Sequence, residues 1–272
     1  MFDPKLADAP LGHEVAYPQK YDASLLFPIA RATNRHALPH MPDWIGADIW
    51  HGYEISWLNQ KGKPMIAMAR FIFPQSTPNL IESKSFKLYL NSFNEERYPG
   101  APAVLDIMRR DLSRAAGAEI EIEFEPVNTR VECTPLEGEN IDDADIEITA
   151  YRPAPELLRC VDQAQVVSET LTSDLLKSNC PVTGQPDWGS VQIRYTGPRI
   201  DREALLAYIV SLRQHDEFHE HCVEKMYCDI WQACKPVALC VYARYTRRGG
   251  LDINPWRSSE PVSVEQARTP RQ

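Results

Sequence analysis

Apolar and polar residues alternate along the chain in patterns that predict both strands and helices. Residues 54–74 are predicted to form a hairpin with its turn at Lys61-Gly62-Lys63. Further strands are predicted over 119–127, 145–153, 166–176, 188–198 and 236–246, and helices over Ser83–Tyr98, Ala103–Ala116, Asp201–His215 and Glu217–Cys234. The order strand, strand, helix, helix, strand therefore occurs twice.

Residue identities support this internal repeat. When residues 87–94 are aligned with residues 206–213, Tyr89 falls on Tyr208, Ser92 on Ser211 and Phe93 on Leu212. We therefore predict an α+β protein of two homologous modules, each with an antiparallel sheet and two helices on one face. The modules are predicted over residues 1–135 and 136–272, with the polar connection inside 128–165.

Composition and charge limit the kinds of partner that the chain can bind. Its 272 residues carry a formal net charge of -9, which disfavours direct binding to the phosphate backbone of a nucleic acid. The N-terminal residues lack the basic and apolar regions of a signal peptide, and no apolar run approaches the ~20 residues of a membrane span. We expect a cytoplasmic protein that binds neither membranes nor nucleic acids directly.

The seven cysteines do not have the spacing of a known framework. An odd number argues against a set of disulfides, and the absence of a C-x-x-C pair argues against a zinc ribbon. Most of them are interpreted as small buried residues, and no metal site is predicted.

One cysteine lies in a segment whose residues could carry out a reaction. Cys180 and Asp187 belong to the run Ser178–Gly189, a loop that two prolines and two glycines restrain between predicted strands. Cys180 is a candidate nucleophile, and Asp187 is a candidate general acid if burial keeps it protonated. A structural thiol beside a turn aspartate explains the same residues, and the loop alone does not decide.

A second cluster is Glu217-Phe218-His219-Glu220-His221. It is compatible with substrate binding, with acid–base chemistry and with metal binding. His219 and His221 are only two residues apart and diverge by about half a turn on a helix, which argues against a single-helix metal chelate. A charged helix start is the structural alternative.

Two basic segments are candidates for phosphate binding. Lys84 and Lys87 lie three residues apart behind Glu82, and Arg247 and Arg248 precede Gly249 and Gly250 in the run that starts at Arg244. A solvated helix start and a basic turn are the alternatives. The sequence has no G-x-G-x-x-G motif, which excludes a Rossmann-type nucleotide site.

Together these segments resemble a known family, the NADPH-dependent nitrile reductases of the QueF type (7-cyano-7-deazaguanine reductases) in their long, two-module form. The resemblance rests on E-S-K-S-F-K-L-Y at residues 82–89, on N-C-P-V-T-G-Q-P-D-W at 179–188, on E-F-H-E at 217–220 and on the run 242–256. It covers nearly the whole chain and implies a tunnelling fold, a homodimer, and NADPH as the cofactor.

The resemblance also implies roles for individual residues. The catalytic residues would be Cys180, Asp187 and His219, with Cys180 forming a thioimide with the nitrile. The substrate would contact Ile81, Glu82, Ser83, Phe218, His219 and Glu220, and NADPH would contact Ser83, Lys84, Lys87, Arg248 and Gly249. Because Glu203 replaces Lys84 in the second copy, the implied site combines both modules. A zinc-dependent enzyme like GTP cyclohydrolase and a non-enzymatic binding module are the competing hypotheses.

Overall fold

The computed structural model describes residues 17–38, 41–130 and 132–272. The strands are β1 (Pro28–Ala30), β2 (Ile45–Leu58), β3 (Pro64–Pro74), β4 (Asn79–Ile81), β5 (Glu121–Glu125), β6 (Glu139–Asn140), β7 (Cys160–Ser173), β8 (Lys177–Asn179), β9 (Pro186–Ile200), β10 (Ala238–Tyr245) and β11 (Leu251–Ser258). The helices are α1 (Arg31–Arg35), α2 (Ser83–Asn91), α3 (Ala101–Ala116), α4 (Arg202–Ser211) and α5 (His219–Cys234). None of the helices in this described part is long and apolar enough to cross a membrane.

These elements form two compact units, and each unit draws on separate stretches of the chain. Among the described residues, the first unit contains 17–34, 49–130 and 247–252. The second contains 35–38, 41–48, 132–246 and 253–272. The mixture of helices with antiparallel strands confirms the predicted α+β class, whereas the module boundary at residues 135 and 136 stays a prediction.

The first unit contains strands in the order β5-β3-β2 and a separate antiparallel pair, β1 with β4. The β2–β3 connection is the predicted hairpin turn. Asn59 closes it, because its side chain accepts hydrogen bonds from the backbone N–H groups of Lys61 and Lys63, and Gly62 supplies a left-handed φ of +83°. Helices α2 and α3 contribute the fully buried Phe86, Met108 and other apolar side chains to this unit's core.

The second unit contains strands in the order β11-β10-β9-β7-β6, with β8 paired to β9. Alternate residues of β9 and β10 face the core, as shown by the buried Val191, Ile193, Leu239 and Val241. Side chains from α4 and α5 complete the same apolar cluster, so both helices pack on this face of the sheet. The core of the unit is therefore a sheet covered by a helix pair.

Both units use the same buried hydrogen bonds between their helices, as the repeat predicts. The Tyr89 hydroxyl donates to Asp111 at 2.9 Å in the first unit, and the Tyr208 hydroxyl donates to Asp229 at 2.7 Å in the second. In both copies a serine hydroxyl donates back to the tyrosine carbonyl at 2.6 Å. The two units thus have the same pair of hydrogen bonds at the aligned positions, which supports the internal repeat.

The helix caps also match between the copies. Glu82 caps α2 by accepting from the backbone N–H groups of Lys84 and Ser85, and Asp201 caps α4 by accepting from that of Ala204. These two acidic residues occupy equivalent positions in the repeat. The prediction that Asp201 caps a helix is therefore confirmed.

Several predictions of secondary structure are wrong or incomplete. Residues 145–153 form no strand, although Ile146 and Ile148 pack against the core of the second unit. Helix α2 stops at Asn91 rather than Tyr98, because three-residue turns follow it. Helix α5 begins at His219 rather than Glu217, and strand β11 was not predicted.

Candidate active site

Cys180 lies in the short connection between β8 and β9 of the second unit. Its backbone N–H donates to the Gln185 carbonyl at 2.9 Å, and its own carbonyl accepts from Gly184 N–H at 2.9 Å. Gly184 has a φ of +66°, which a residue with a side chain rarely adopts. Cys180 is only 6% exposed, so the loop holds a largely buried thiol in a fixed position.

The structure brings Asp187 and His219 together. Asp187 faces the interior from β9 and is 4% exposed, and its Oδ2 lies 3.7 Å from Nε2 of His219, the first residue of α5. The His219 ring packs edge-to-face against Tyr245, with ring centroids 4.0 Å apart. Asp187 pairs with Ser178 in the β8–β9 register, and Cys180 comes two residues after Ser178, just beyond the end of β8.

A set of hydrogen bonds that sequence reasoning missed joins the Cys180 loop to the segment before α5. Asn179 donates its backbone N–H to the His215 carbonyl at 2.8 Å and accepts from Glu217 N–H at 3.0 Å. Its side chain donates to Asp216 and accepts from the Lys177 ammonium. Hydrogen bonds of Asn179 therefore hold the Cys180 loop against the start of the E-F-H-E segment. The position of Asn179 beside Cys180 in the motif was the available signal.

The remaining residues of the E-F-H-E cluster have distinct positions. Phe218 is the N-cap of α5 and has extended backbone angles, so Glu217 and Phe218 precede the helix. Glu220 is 2% exposed on the first turn. The Nδ1 atom of His221 lies 3.4 Å from Glu217 Oε1, whereas His219 faces Asp187. The two histidines thus have different partners, as their spacing predicts.

In the first unit, Ile81, Glu82, Ser83 and Lys84 lie at the junction of β4 and α2. Both Glu82 carboxylate oxygens accept backbone N–H groups at 2.7 Å, and the side chain is fully buried. Burial raises the pKa of Glu82 above its ordinary value, although these hydrogen bonds oppose the shift. Ser83 Oγ lies 3.5 Å from Glu82 Oε1. Glu82 therefore has a structural role as a cap besides any role in binding.

The basic residues of the first unit surround a turn with two left-handed glycines. Gly249 has a φ of +57°, and an added Cβ would lie 3.1 Å from Cδ of Lys87. Gly250 has a φ of +79°, and an added Cβ would lie 2.5 Å from the Glu54 carboxyl carbon. The Lys87 ammonium lies 3.3 Å from Glu54 Oε2. Lysine, arginine and exposed backbone at one turn fit a phosphate-bearing cofactor.

A buried network in the same unit was not predicted. Asp252 accepts a hydrogen bond from the Tyr53 hydroxyl at 2.5 Å and lies 2.7 Å from Nδ1 of His51. The guanidinium of Arg247 lies over the Tyr53 ring, 4.5 Å from its centroid. Only the Arg247-Arg248 pair gave a sequence signal for this region.

A second missed cluster is a buried set of ions in the second unit. Arg257 is completely buried between Asp48 at 2.9 Å and Glu224 at 2.7 Å, and Glu224 also pairs with Arg35 at 2.7 Å. Burial alone would raise the pKa of Glu224, but Arg257 and Arg35 together outweigh it and lower that pKa well below the ordinary range. Glu224 lies on α5, one turn after Glu220, so this cluster fixes the helix that carries His219.

Four of the other cysteines are buried on α5 and β10. Burial raises the pKa of Cys222, Cys228 and Cys234 on α5 to about 12 and that of Cys240 on β10 to about 11. These thiols stay protonated at neutral pH. Within the described parts of the chain, no group of three or more histidine, cysteine or acidic side chains is arranged to hold a metal ion.

The fold and this cluster define an α+β protein with a candidate thiol active site in its second unit. The family model described as "Nitrile reductase, 7-cyano-7-deazaguanine-reductase N-term" matches residues 17–124, and the model "QueF-like protein" matches residues 186–263. The chain belongs to the family of NADPH-dependent 7-cyano-7-deazaguanine reductases.

Similar proteins carry the same family name. One from Bordetella avium is 59% identical, with 97% of this chain and 99% of the relative covered. One from Chromobacterium violaceum is 55% identical, with 97% and 96% covered. Both are named NADPH-dependent 7-cyano-7-deazaguanine reductase. A solved structure, the apo archaeosine synthase QueF-Like, covers 36% of this chain at 19% identity with a TM-score of 0.31, too weak a likeness to support an argument.

Proposed function

We propose that this protein reduces 7-cyano-7-deazaguanine to 7-aminomethyl-7-deazaguanine with NADPH, a step in the biosynthesis of the tRNA nucleoside queuosine. Two relatives named for this activity are more than half identical to the chain and cover nearly all of it. The single structural observation that carries the proposal is that the fixed Cys180 loop begins two residues after Ser178, the β8–β9 partner of Asp187, and that Asp187 lies 3.7 Å from His219. A nitrile carbon is an electrophile, and these groups suit its activation.

The first step assigned to these residues is covalent addition. The Cys180 thiolate adds to the nitrile carbon, which forms a carbon–sulfur bond and converts the C≡N triple bond into a C=N double bond. Asp187 gives a proton to the nitrogen as negative charge develops there, and the product is a neutral thioimide. The low exposure of both side chains supports this assignment, because a dry site strengthens proton transfer between positioned groups.

His219 is assigned the proton delivery in the second half of the reaction. Its Nε2 lies 3.7 Å from the Asp187 carboxylate, so a small movement would allow proton exchange between them. The Tyr245 ring restricts rotation of the imidazole. Both groups therefore serve one reacting nitrogen in turn.

Recognition of the purine-like ring is assigned to residues with acceptor or apolar side chains. Glu82 and Glu220 would accept hydrogen bonds from the N–H edge of the base, where only acceptors fit. Ile81, Ser83 and Phe218 would contact the ring beside them. The near-complete burial of both carboxylates supports this role, since buried acceptors discriminate strongly for a ligand that donates to them.

The cofactor is assigned to the basic residues of the first unit. NADPH supplies hydride when bound. Lys84, Lys87 and Arg248 would bind its phosphates, Gly249 would allow close backbone approach, and Ser83 would add a hydroxyl contact. The left-handed Gly249 beside Lys87 supports this assignment.

The finer structural expectations are part of the same proposal. We assign the tunnelling fold, the modules 1–135 and 136–272, a homodimer, and a cytoplasmic location without direct nucleic-acid binding. All seven cysteines carry free thiols, which supports a reducing compartment.

The decisive experiment mixes the protein with 7-cyano-7-deazaguanine in the absence of NADPH and measures the intact mass. The wild type is expected to gain the mass of one nitrile, and later addition of NADPH should release the amine. Cys180→Ala should form no adduct and should lose activity by about 1000-fold or more.

The matched control is Cys133→Ala, which removes an exposed thiol outside the loop. It should form the adduct as the wild type does. The proposal is wrong if the wild type forms no adduct and oxidises no NADPH, or if Cys180→Ala retains both.

A further inference from the structure

Residues 265–272, which we call the latch segment, lie against the strands of the second unit that carry the candidate site. The Glu265 carbonyl accepts a hydrogen bond from the Tyr242 hydroxyl at 2.7 Å and from Arg244 Nη1 at 3.3 Å. Both donors lie on β10, and Arg244 is 1% exposed. The start of the latch segment is thereby anchored to a buried part of the sheet.

The other end of the latch segment binds both residues of one cross-strand pair, which we call a rung of the sheet. Arg271 Nη2 donates to the Gly189 carbonyl at 2.9 Å and to the Asp174 carbonyl at 2.8 Å. Gln272 Nε2 donates to the Tyr245 carbonyl at 3.0 Å. Gly189 and Tyr245 are direct partners in the β9–β10 register. Two adjacent side chains therefore hold the same cross-strand pair.

This Gly189–Tyr245 pair is adjacent to Asp187 and His219. Asp187 precedes Gly189 by two residues and faces the same side of β9, and the His219 ring rests on Tyr245. An added Cβ at Gly189 would lie 3.2 Å from Cδ1 of Tyr245. Because the glycine backbone and the tyrosine ring are so close, a shift of this rung would change the separation of Asp187 and His219.

The amide of Gln272 is itself fixed on every side. Its Oε1 accepts from Thr269 N–H at 3.0 Å, and its Nε2 donates to Asn254 Oδ1 at 2.8 Å as well as to Tyr245. The Gln272 backbone N–H donates to the Thr269 carbonyl at 3.1 Å, and Thr269 is 3% exposed. A carboxylate in place of this amide would lose both donated bonds while keeping its size.

We propose that Arg271 and Gln272 are positioning residues that hold the Gly189–Tyr245 rung and thereby set the distance between Asp187 and His219. The chemical roles of Asp187 and His219 rest on the proposed function. Displacing reacting groups by about 1 Å can slow an enzyme by about 100-fold. Neither side chain touches substrate in this proposal, so binding of both substrates should be preserved.

The test compares the double variant R271A/Q272E with Q266E. Gln266 lies on the same segment, but its amide donates only to the nearby Val264 carbonyl at 3.0 Å. In the double variant, kcat and the rate of adduct formation should fall by about tenfold to 100-fold, while KM for NADPH stays within about twofold. Q266E should match the wild type. A lysine in place of Arg271 restores a donor, so Arg271→Lys should recover part of the rate that is lost with alanine at this position.

A second readout needs no catalysis. The His219 ring protons sense the ring current of Tyr245, so NMR of histidine-labelled, ligand-free protein reports their geometry. The His219 signal, assigned with His219→Gln, should move in R271A/Q272E and remain in place in Q266E. An unchanged signal with an unchanged kcat overturns the proposal. If the wild type forms no adduct, the proposed function fails, and the NMR comparison still decides whether the latch segment positions His219.

Discussion

The helix pair α2–α3 of the first unit and the helix pair α4–α5 of the second share a buried framework but not their chemistry. Each pair contains a tyrosine that donates to a buried aspartate and a serine that donates to the tyrosine carbonyl. Each begins with an acidic cap. Lys84 of the first unit, by contrast, corresponds to Glu203 in the second, and every cysteine of the chain lies at residue 133 or later.

This comparison indicates which positions of the two helix pairs are difficult to change. A buried hydroxyl–carboxylate bond is costly to alter on one side only, because the remaining partner would be buried without its hydrogen bond. Residues on loops are less constrained in this way. The two helix pairs therefore share their buried hydrogen bonds, whereas the residues at positions 84 and 203 differ and the cysteines occur only from residue 133 onward.

The largest expected effect on stability tests the ion cluster that lies on α5. Glu224→Gln leaves Arg257 and Arg35 facing a neutral amide in a buried site and should lower the free energy of unfolding by about 3–5 kcal/mol in urea denaturation. Glu123→Gln in the first unit breaks a pair whose carboxylate is 54% exposed and should cost about 1 kcal/mol or less. Equal losses would contradict the role assigned to the buried cluster.

The same variant tests how the stability of the protein depends on pH. Because the pKa of Glu224 is lowered in the folded protein, its contribution is present above its ordinary pKa of 4.5 and is lost as the pH falls through the folded value. Glu82 behaves in the opposite way: its pKa is raised, so its contribution is lost as the pH rises above 4.5. Glu224→Gln should therefore flatten the loss of stability in acid, as measured by denaturation at pH 3 to 6.

An intermediate effect is expected from the two equivalent tyrosines. Tyr208→Phe and Tyr89→Phe each remove a hydroxyl from a buried carboxylate, at a cost of about 1–3 kcal/mol. Asp111 keeps hydrogen bonds from the Tyr21 hydroxyl and Arg110, whereas Asp229 keeps, among the described residues, the contact with the Lys225 ammonium at 2.9 Å. Tyr208→Phe should therefore cost more than Tyr89→Phe in urea denaturation. The reverse order would show that the two bonds are not equivalent in the way the repeat suggests.

The smallest effect concerns the caps. Asp201→Ala removes the side-chain acceptor at the start of α4 and a 2.7 Å contact with Arg159, and it should lower the free energy of unfolding by about 1 kcal/mol. Asp201→Asn retains an acceptor and should recover most of this loss. If alanine and asparagine are equally destabilising, the cap does not explain the acidic residue at this position.

Much of the fold follows from local patterns in the sequence. The hairpin at Lys61-Gly62-Lys63, the helix that ends at Ala116 and the cap at Asp201 all depend on residues close together in the chain, and the structure confirms them. The strand predicted over 145–153 fails because alternation reports which side chains are buried, not whether the backbone has a partner. Strand β11 was missed because Pro255 and several polar residues interrupt its pattern.

The candidate site was predictable only in part for the same reason. The motifs around Cys180, Glu82 and Glu217 identified the segments, but their functional roles remain proposals. Sequence spacing could not indicate that Asn179 binds the segment before α5, or that Arg257 meets Glu224 across 33 positions. These contacts join distant residues through a shared interior, and no local pattern encodes such a meeting.

The burial of the helix cysteines has a consequence for chemical selectivity. With a pKa of about 12, Cys222, Cys228 and Cys234 are each ionised to the thiolate in roughly one molecule per 10⁵ at pH 7. Electrophiles and oxidants that enter the protein therefore meet thiols that react very slowly at these positions. The interior can hold several sulfur atoms for packing without offering competing targets to a reactive small molecule.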